Sequence, residues 1–293
     1  MVRYGQDPKI NIIIGFSWRD RRSLQILKEV LKSFHRQRYR NFELAVVEQD
    51  VRPRHIHTLR KYGAKYIFAY NPGKYNRGWG RNVGAKLCRD CDYLLFNDAD
   101  IPVPDDFLLK SVQCITRKKI DFLCPFTKVY RLTQDATKTF VRSPYNKKFG
   151  LIKNKDNVLE IWDVPEAVGG SVFVGKKFFF RINGYYEDMN GWGCEDECIW
   201  DKSVIGNRVK ANLFRMVHLY HEQSPKDSVE KSNFEENCKK MYEMRKLIKK
   251  ENLTYKDVRH VYGPFGGDIN EMNPGVSGKV GVRKILRFLS RYV

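Results

Sequence analysis

Two aspartates one residue apart, Asp98 and Asp100, close the segment Phe96-Asn97-Asp98-Ala99-Asp100, directly behind the apolar run Tyr93-Leu94-Leu95-Phe96. That run has the composition of a buried strand, and a strand ending in Asp-x-Asp delivers two carboxylates to the carboxyl edge of a sheet. Hard divalent cations such as Mg²⁺ and Mn²⁺ select carboxylate oxygens and commonly complete their shells with phosphate oxygens. The pair therefore reads as a device for holding a metal–diphosphate. A solvated turn uses the same two residues, so the motif alone leaves both readings open.

A second concentration of chemistry is Gly191-Trp192-Gly193-Cys194-Glu195-Asp196-Glu197. Glycines on either side of Trp192 permit a sharp turn while the indole walls a pocket. The three acids open a helix expected over Cys198 to Val204. The helix dipole favours acids at that place. A general base drawing a proton from an attacking hydroxyl accounts for them equally well.

The elements that position these residues alternate in the first half of the chain. Ile10 to Phe16 is an apolar run, and Leu24, Ile26, Leu27, Val30, Leu31 and Phe34 recur at helical spacing. A strand over Leu44 to Val47, a short basic helix near Pro53 to Tyr62, a strand over Tyr66 to Tyr70 and a helix from near Gly80 to Leu87 follow. This β-α-β-α order predicts an α/β fold with a largely parallel sheet and ligands at the strands' carboxyl ends. Gln49-Asp50, Asn71 to Arg81, and Asp98 with Asp100 then share one edge.

The pattern loosens beyond Asp121, and the polar, Lys-rich stretch Lys138 to Asn157 reads as a surface insertion or mobile loop. Gly169 to Val174 reads as a strand, Lys176 to Ile182 as a helix ended by Asn183-Gly184, and Val209 to Tyr220 as another strand. Ser228 to Lys250 reads as a charged helix. A Gly/Pro-marked linker follows, and Val282 to Val293 closes the chain as a short basic amphipathic helix.

Composition sets the bounds. The 293 residues are 42% hydrophobic and 13% aromatic, enough for a real core. Neither a signal peptide nor a bilayer-spanning run is recognisable, so the expectation is a cytoplasmic protein, with peripheral membrane contact in view. Seven cysteines in a chain this long argue for a reducing compartment and for buried small hydrophobes, Cys88 and Cys91 included. The net charge of +20 implies attraction to nucleic acid, an anionic membrane or phosphorylated substrates. It is concentrated: Arg19 to Arg40 holds eight basic and two acidic residues, and Val276 to Val293 holds five basic residues and no acid.

Taken together, Asn76-Arg77 with Arg81 to Gly84, Phe96 to Pro102, Gly169-Gly170-Ser171, Ile182 to Tyr185, Gly191 to Asp196 and His218 to His221 resemble a GT-A glycosyltransferase. The likeness is to family-2 enzymes and to the β-1,4-galactosyltransferase and chondroitin-polymerase type. It spans Ile10 to Pro225 and divides the chain into a transferase domain, 1–225, and a basic, mainly helical extension, 226–293. The resemblance implies a Rossmann-like nucleotide-sugar domain with a mixed, mostly parallel sheet. It also implies a Mn²⁺ (or Mg²⁺) cofactor and a UDP-linked sugar as donor. Asp98 and Asp100 inherit the metal, Asp100 the more directly, with His221 as first and His218 as second choice to complete the shell. Asp196 inherits the role of base, with Glu195 and Trp192 shaping the acceptor and sugar pocket. Gln49 and Asp50 correspond to positions that read the nucleobase or ribose, Arg77 and Arg81 to phosphate neutralisers, and Asn82 to a loop-orienting residue. Gly15-Phe16-Ser17 departs from the family, which usually has a proline-containing turn there.

The implied reaction is metal-dependent, inverting transfer to a hydroxyl. A glycan or lipid-linked acceptor at a membrane suits the C-terminal helix, whose Arg283, Lys284, Arg287 and Arg291 flank an apolar stripe and fit anionic headgroups. Duplex DNA with hydroxymethylated bases, modified as by some phage enzymes, is the alternative acceptor, held by the positive charge. The third reading is a non-catalytic basic binding protein on a degenerate transferase fold.

Overall fold

In the computed structural model, which describes residues 7–163, 168–191, 193–222 and 228–248, the chain opens with β1 (Ile10–Phe16). Ile10, Ile12, Ile13 and Ile14 are all fully buried. A strand apolar on both faces has to be covered on both sides, which is the environment inside a parallel sheet. α1 (Arg21–His35) follows, started by a capping box in which the Asp20 carboxylate accepts from the Ser23 N–H. The alternation continues through β2 (Phe42–Asp50), α2 (Ile56–Lys61), β3 (Lys65–Tyr70), α3 (Arg77–Leu87) and β4 (Tyr93–Asn97). β3, β2, β1 and β4 lie side by side in that order, all parallel. α3 begins earlier than the expected Gly80, because Asn76 caps it by accepting from the Trp79 N–H at 2.8 Å.

Beyond β4 the sheet becomes mixed. α4 (Phe107–Lys118) leads into β5 (Phe122–Leu132), which pairs antiparallel with β6 (Val158–Asp163) and β7 (Ser171–Gly175) and parallel with β8 (Arg208–His218). β7 closes antiparallel on β4 and joins the two halves. The eight strands form one α/β sheet with a mostly parallel centre.

The stretch expected as a surface insertion or mobile loop over Lys138 to Asn157 is folded. α5 (Gln134–Arg142) and α6 (Tyr145–Lys148) are followed by single 3₁₀ turns at Leu151–Lys153 and Lys155–Asn157. Thr133 caps α5, and Ala136 and Phe140 pack with Leu132, Val217, Leu219 and Ile26 in a small core of their own. Three inward positions suffice to seat a helix that is otherwise polar.

Helices cover both faces. α1 and α4 bury Leu27, Val30, Leu31, Phe34, Phe107 and Leu108 on one side. On the other, α3 lies with α7 (Lys176–Arg181), α8 (Glu195–Lys202) and α9 (Ser228–Ile248), burying Trp79, Val83, Phe179, Ile199, Met241 and Met244. Each fully buried Leu or Phe contributes about 1.5–3 kcal/mol. All seven cysteines are free thiols, with Cys88 and Cys91 buried as expected. Among the described residues no helix is long and apolar enough to cross a membrane. The basic helix expected over 282–293 lies outside the described residues.

Candidate active site

The end of β4 is held open by two backbone hydrogen bonds. The Asp98 N–H donates to the Gly170 carbonyl at 2.7 Å, and the Leu219 N–H donates to the Asp100 carbonyl at 3.0 Å. The second of these sets the end of β8 beside the Asp-x-Asp loop. His221 Nε2 lies 3.1 Å and His218 Nε2 3.7 Å from the same Asp100 oxygen, Oδ2. Among the described residues these three side chains form a group able to hold a metal ion, with ligand atoms within 4.8 Å of one another.

The donor set fits a divalent cation. Asp100 Oδ1 and His218 Nδ1 are buried without a hydrogen-bond partner. Such bare polar atoms cost about 1–3 kcal/mol each unless a ligand serves them. Two imidazoles and a carboxylate suit a divalent first-row transition-metal ion. Burial pushes the Asp100 carboxyl up, but His218 and then His221 more than reverse this and hold it well below the usual range. Burial lowers the His218 pKa despite Asp100, which favours the neutral, ligating imidazole. His221 is desolvated too, yet its hydrogen bond to Asp100 raises it overall.

Asp98 faces the other way. Arg81, 1% exposed, donates through Nη2 to Asp98 Oδ1 at 2.7 Å and through Nη1 to Asp196 Oδ1 at 2.5 Å. One guanidinium therefore joins the Asp-x-Asp loop to the start of α8. Arg77, one turn earlier on α3, donates to Glu195 Oε1 at 2.6 Å and stands 3.4 Å from Asp196 Oδ2 and 3.8 Å from Asp98 Oδ2. Beneath them the Tyr185 ring lies 4.8 Å from the Arg81 guanidinium. Buried carboxylates are tolerable only when paired in this way.

The acids of α8 divide accordingly. Burial works to raise Asp196, but Arg81 and then Arg77 bring it down, so it is ionised. Glu195 is raised, burial outweighing Arg77. Glu197 is pushed up to about 7 by burial, then by the neighbouring charges of Asp196 and Glu195. Asp196 approaches so closely to Gly169 that a Cβ there would collide with its carboxylate, and a Cβ at Gly170 (φ +91°) would meet Ile101. Gly169 leaves the space that the Asp196 carboxylate occupies.

The remaining sequence candidates separate into supports and edge residues. Gln49 is 2% exposed and turned inward: its Nε2 donates to the Asn76 carbonyl at 2.8 Å, and its Oε1 accepts from Asn71 and from the Asn76 N–H. Asn82 is fully buried and orients the next loop, donating to the Tyr185 carbonyl at 2.8 Å and to Glu187 at 2.7 Å. Asp50 stands at the sheet edge, paired with Arg54 at 2.5 Å. Trp192 lies outside the described residues. Tyr185 and Gly169 were legible only as parts of motifs. The contribution of α9 carried no sequence signal: Asn237 Nδ2 donates to the carbonyls of Asn190 at 3.1 Å and Gly193 at 3.3 Å, and Cys238 Sγ lies 3.2 Å from Cys194 Sγ.

A parallel α/β half, an Asp-x-Asp loop at its switch point and an acidic helix start joined to that loop through Arg81 are the arrangement of a glycosyltransferase of the GT-A class. The chain belongs to glycosyl transferase family 2, whose model matches residues 21–170. A model described as the N-terminal domain of galactosyltransferase matches residues 159–222. No curated protein matches the chain. Among solved structures it is similar to GalNAc-T7 with UDP, GalNAc and Mn²⁺, at 17% identity and a TM-score of 0.55, covering 88% of this chain. The chain spans 54% of the GalNAc-T7 chain's length. It is also similar to S. aureus TarS 1-349 in complex with UDP-GlcNAc, at 15% identity and a TM-score of 0.57, covering 96% of this chain and 79% of that one. These likenesses show the fold.

Proposed function

We propose that the enzyme transfers a sugar from a UDP-linked donor to a hydroxyl of a glycan, with inversion, and that it depends on Mn²⁺ or Mg²⁺. The single observation that carries this reading is the continuous chain of contacts from His218 and His221 through Asp100, and from Asp98 through Arg81 to Asp196. The candidate metal ligands and the candidate base are all tied to the one Asp-x-Asp loop. The neighbours holding UDP, UDP-GlcNAc and Mn²⁺ support the choice of donor and ion.

Asp100, His218 and His221 would hold the cation, which when bound supplies Lewis-acid stabilisation of charge on the departing diphosphate. Arg77, with a side chain 24% exposed against 1% for Arg81, is the more accessible guanidinium and the one to exchange its carboxylate partners for the diphosphate. Arg81 stays between Asp98 and Asp196 and fixes both. The acceptor hydroxyl gives its proton to Asp196 as its oxygen bonds to the anomeric carbon. The bond from that carbon to the diphosphate breaks, and its electron pair leaves with the nucleoside diphosphate. Arg77, by turning to the incoming phosphates, weakens its hold on Asp196 and makes it a stronger base when donor is present.

The test is a screen of UDP-GlcNAc, UDP-GalNAc and other nucleotide sugars for Mn²⁺-dependent hydrolysis. Glycan, lipid-linked and hydroxymethylated-DNA acceptors then follow. Hydrolysis stimulated by Mn²⁺ and lost on chelation is expected. Donor turnover indifferent to metal would remove the reading.

A further inference from the structure

The densest basic run in the sequence, Arg19 to Arg40, is largely α1, and the chemistry above uses none of it. We propose that the outer face of α1 is the bed for a single-chain, phosphate-bearing polyanion that carries the acceptor hydroxyl. In naming the acceptor this rests on the transferase reading; the binding itself does not.

Arg21, Gln25, Lys28, Lys32 and Arg36 recur at spacings of three or four and so share one helix face. At 1.5 Å per residue the stripe runs about 22 Å, and Lys28, Lys32 and Arg36 follow one another at about 6 Å. Two adjoining cavities of about 560 and 650 Å³ lie along it and share Glu29, Lys32 and Val141, so they form one groove. Val141, Ser143, Tyr145, Lys61 and Tyr62 line it as well.

The groove is strongly positive. Six cationic side chains line it (Arg21, Lys28, Lys32, Arg36, Lys61 and Lys148) against the one carboxylate of Glu29. Glu29 is buried and already held, at 2.6 Å by Lys148 Nζ and 2.7 Å by Lys32 Nζ. It offers little repulsion to an arriving anion. The residues just ahead of the groove adjoin the catalytic edge: Arg19 Nη1 is 3.4 Å from His221 Nδ1, and Arg22 Nη1 is 3.9 Å from Glu222. A chain leaving the cleft past His221 therefore continues onto α1.

The shape favours one strand over a duplex. The stripe's cationic side chains follow one line along the helix, as the phosphates of one strand do and the two strands of a duplex do not. Tyr145, with Arg36 stacked 4.2 Å from its ring centroid, stands beside that line.

The experiment measures binding of the full chain to single-stranded oligothymidylate, inorganic polyphosphate and a duplex of equal length, across salt concentrations. Both single-chain probes should bind better than duplex, with a log–log salt slope near −3, as about four to five neutralised phosphates predict. The triple variant Arg21→Gln, Lys28→Gln, Lys61→Gln should bind at least tenfold more weakly, with a slope shallower by about 2. Its Mn²⁺-dependent donor hydrolysis and its circular dichroism should match the parent. Gln25→Lys, which adds a cation to the stripe, should tighten binding. Equal affinity of parent and triple variant, or tighter binding of duplex, overturns the proposal. Absence of donor hydrolysis in every variant would instead strike the transferase reading and leave the groove's binding result standing.

Discussion

Asp98 and Asp100 stand one residue apart on a single loop, yet they belong to opposite ends of the cleft. Asp100 looks toward two imidazoles and keeps one oxygen bare. Asp98 looks toward two guanidiniums and is drawn into a bridge with Asp196. One end offers ligands that could hold a cation, and the other already contains its cations. The difference teaches that an Asp-x-Asp motif is not a pair of equivalent ligands: β4 ends at Asn97, and the turn that follows, rather than strand alternation, sends the two carboxylates into different electrostatic environments.

The comparison can be broken most directly at Asp196. Asp196→Asn keeps the shape but removes the proposed proton acceptor, so transfer should fall by about 10²–10⁴ while UDP binding persists. Retained transfer would place the base elsewhere. At the arginine end, Arg81→Met leaves two buried carboxylates without their shared partner. That should cost about 3–5 kcal/mol of stability in denaturant unfolding, a loss that Arg77→Met, at the wetter position, should not approach.

The histidine end is predicted to behave differently. His218→Ala and His221→Ala should each raise the Mn²⁺ concentration for half-maximal donor hydrolysis at least tenfold, with little change in melting temperature. An unaltered metal requirement in both would dissolve the distinction between the two ends. The smallest effect concerns Glu197. Its folded pKa, pushed up to about 7 by burial first and then by Asp196 and Glu195, lies above the unfolded value. The native state therefore binds the extra proton, and the associated stability is full below about pH 4 and lost as pH rises through 7. Glu197→Gln should flatten the decline in melting temperature between pH 5 and 8, an effect of at most about 3 kcal/mol. An identical pH profile in the variant would show that Glu197 titrates normally.

The parallel half of the fold was readable because β1 to β4 are short apolar runs separated by periodic helices, and each signal is local. β5 was not, since Pro125 interrupts it and Lys128 and Arg131 break its alternation, leaving register shifts beside Cys124 and Phe126. α5 was hidden by its polar majority, with only Ala136, Thr137 and Phe140 turned inward. In the site, the types and order of Asp98, Asp100, Asp196 and the histidine pair were visible. The choice between His218 and His221 was not, because the chain turns at the end of β8 and brings both rings onto one carboxylate. Arg77 and Arg81 were visible as a helical pair, but their partners Glu195 and Asp196 lie more than a hundred positions away in sequence, and no spacing rule reaches that far.

α9 has a practical consequence. Its Asn237 and Cys238 meet the peptide groups and thiol immediately ahead of Glu195, at the left-handed residue Cys194 (φ 70°). An enzyme trimmed back to residue 225 would keep every candidate catalytic side chain and still lose the outer brace on the turn that aims them. Deletion mapping of this chain would then report a dead catalyst from a cut that removes no chemistry.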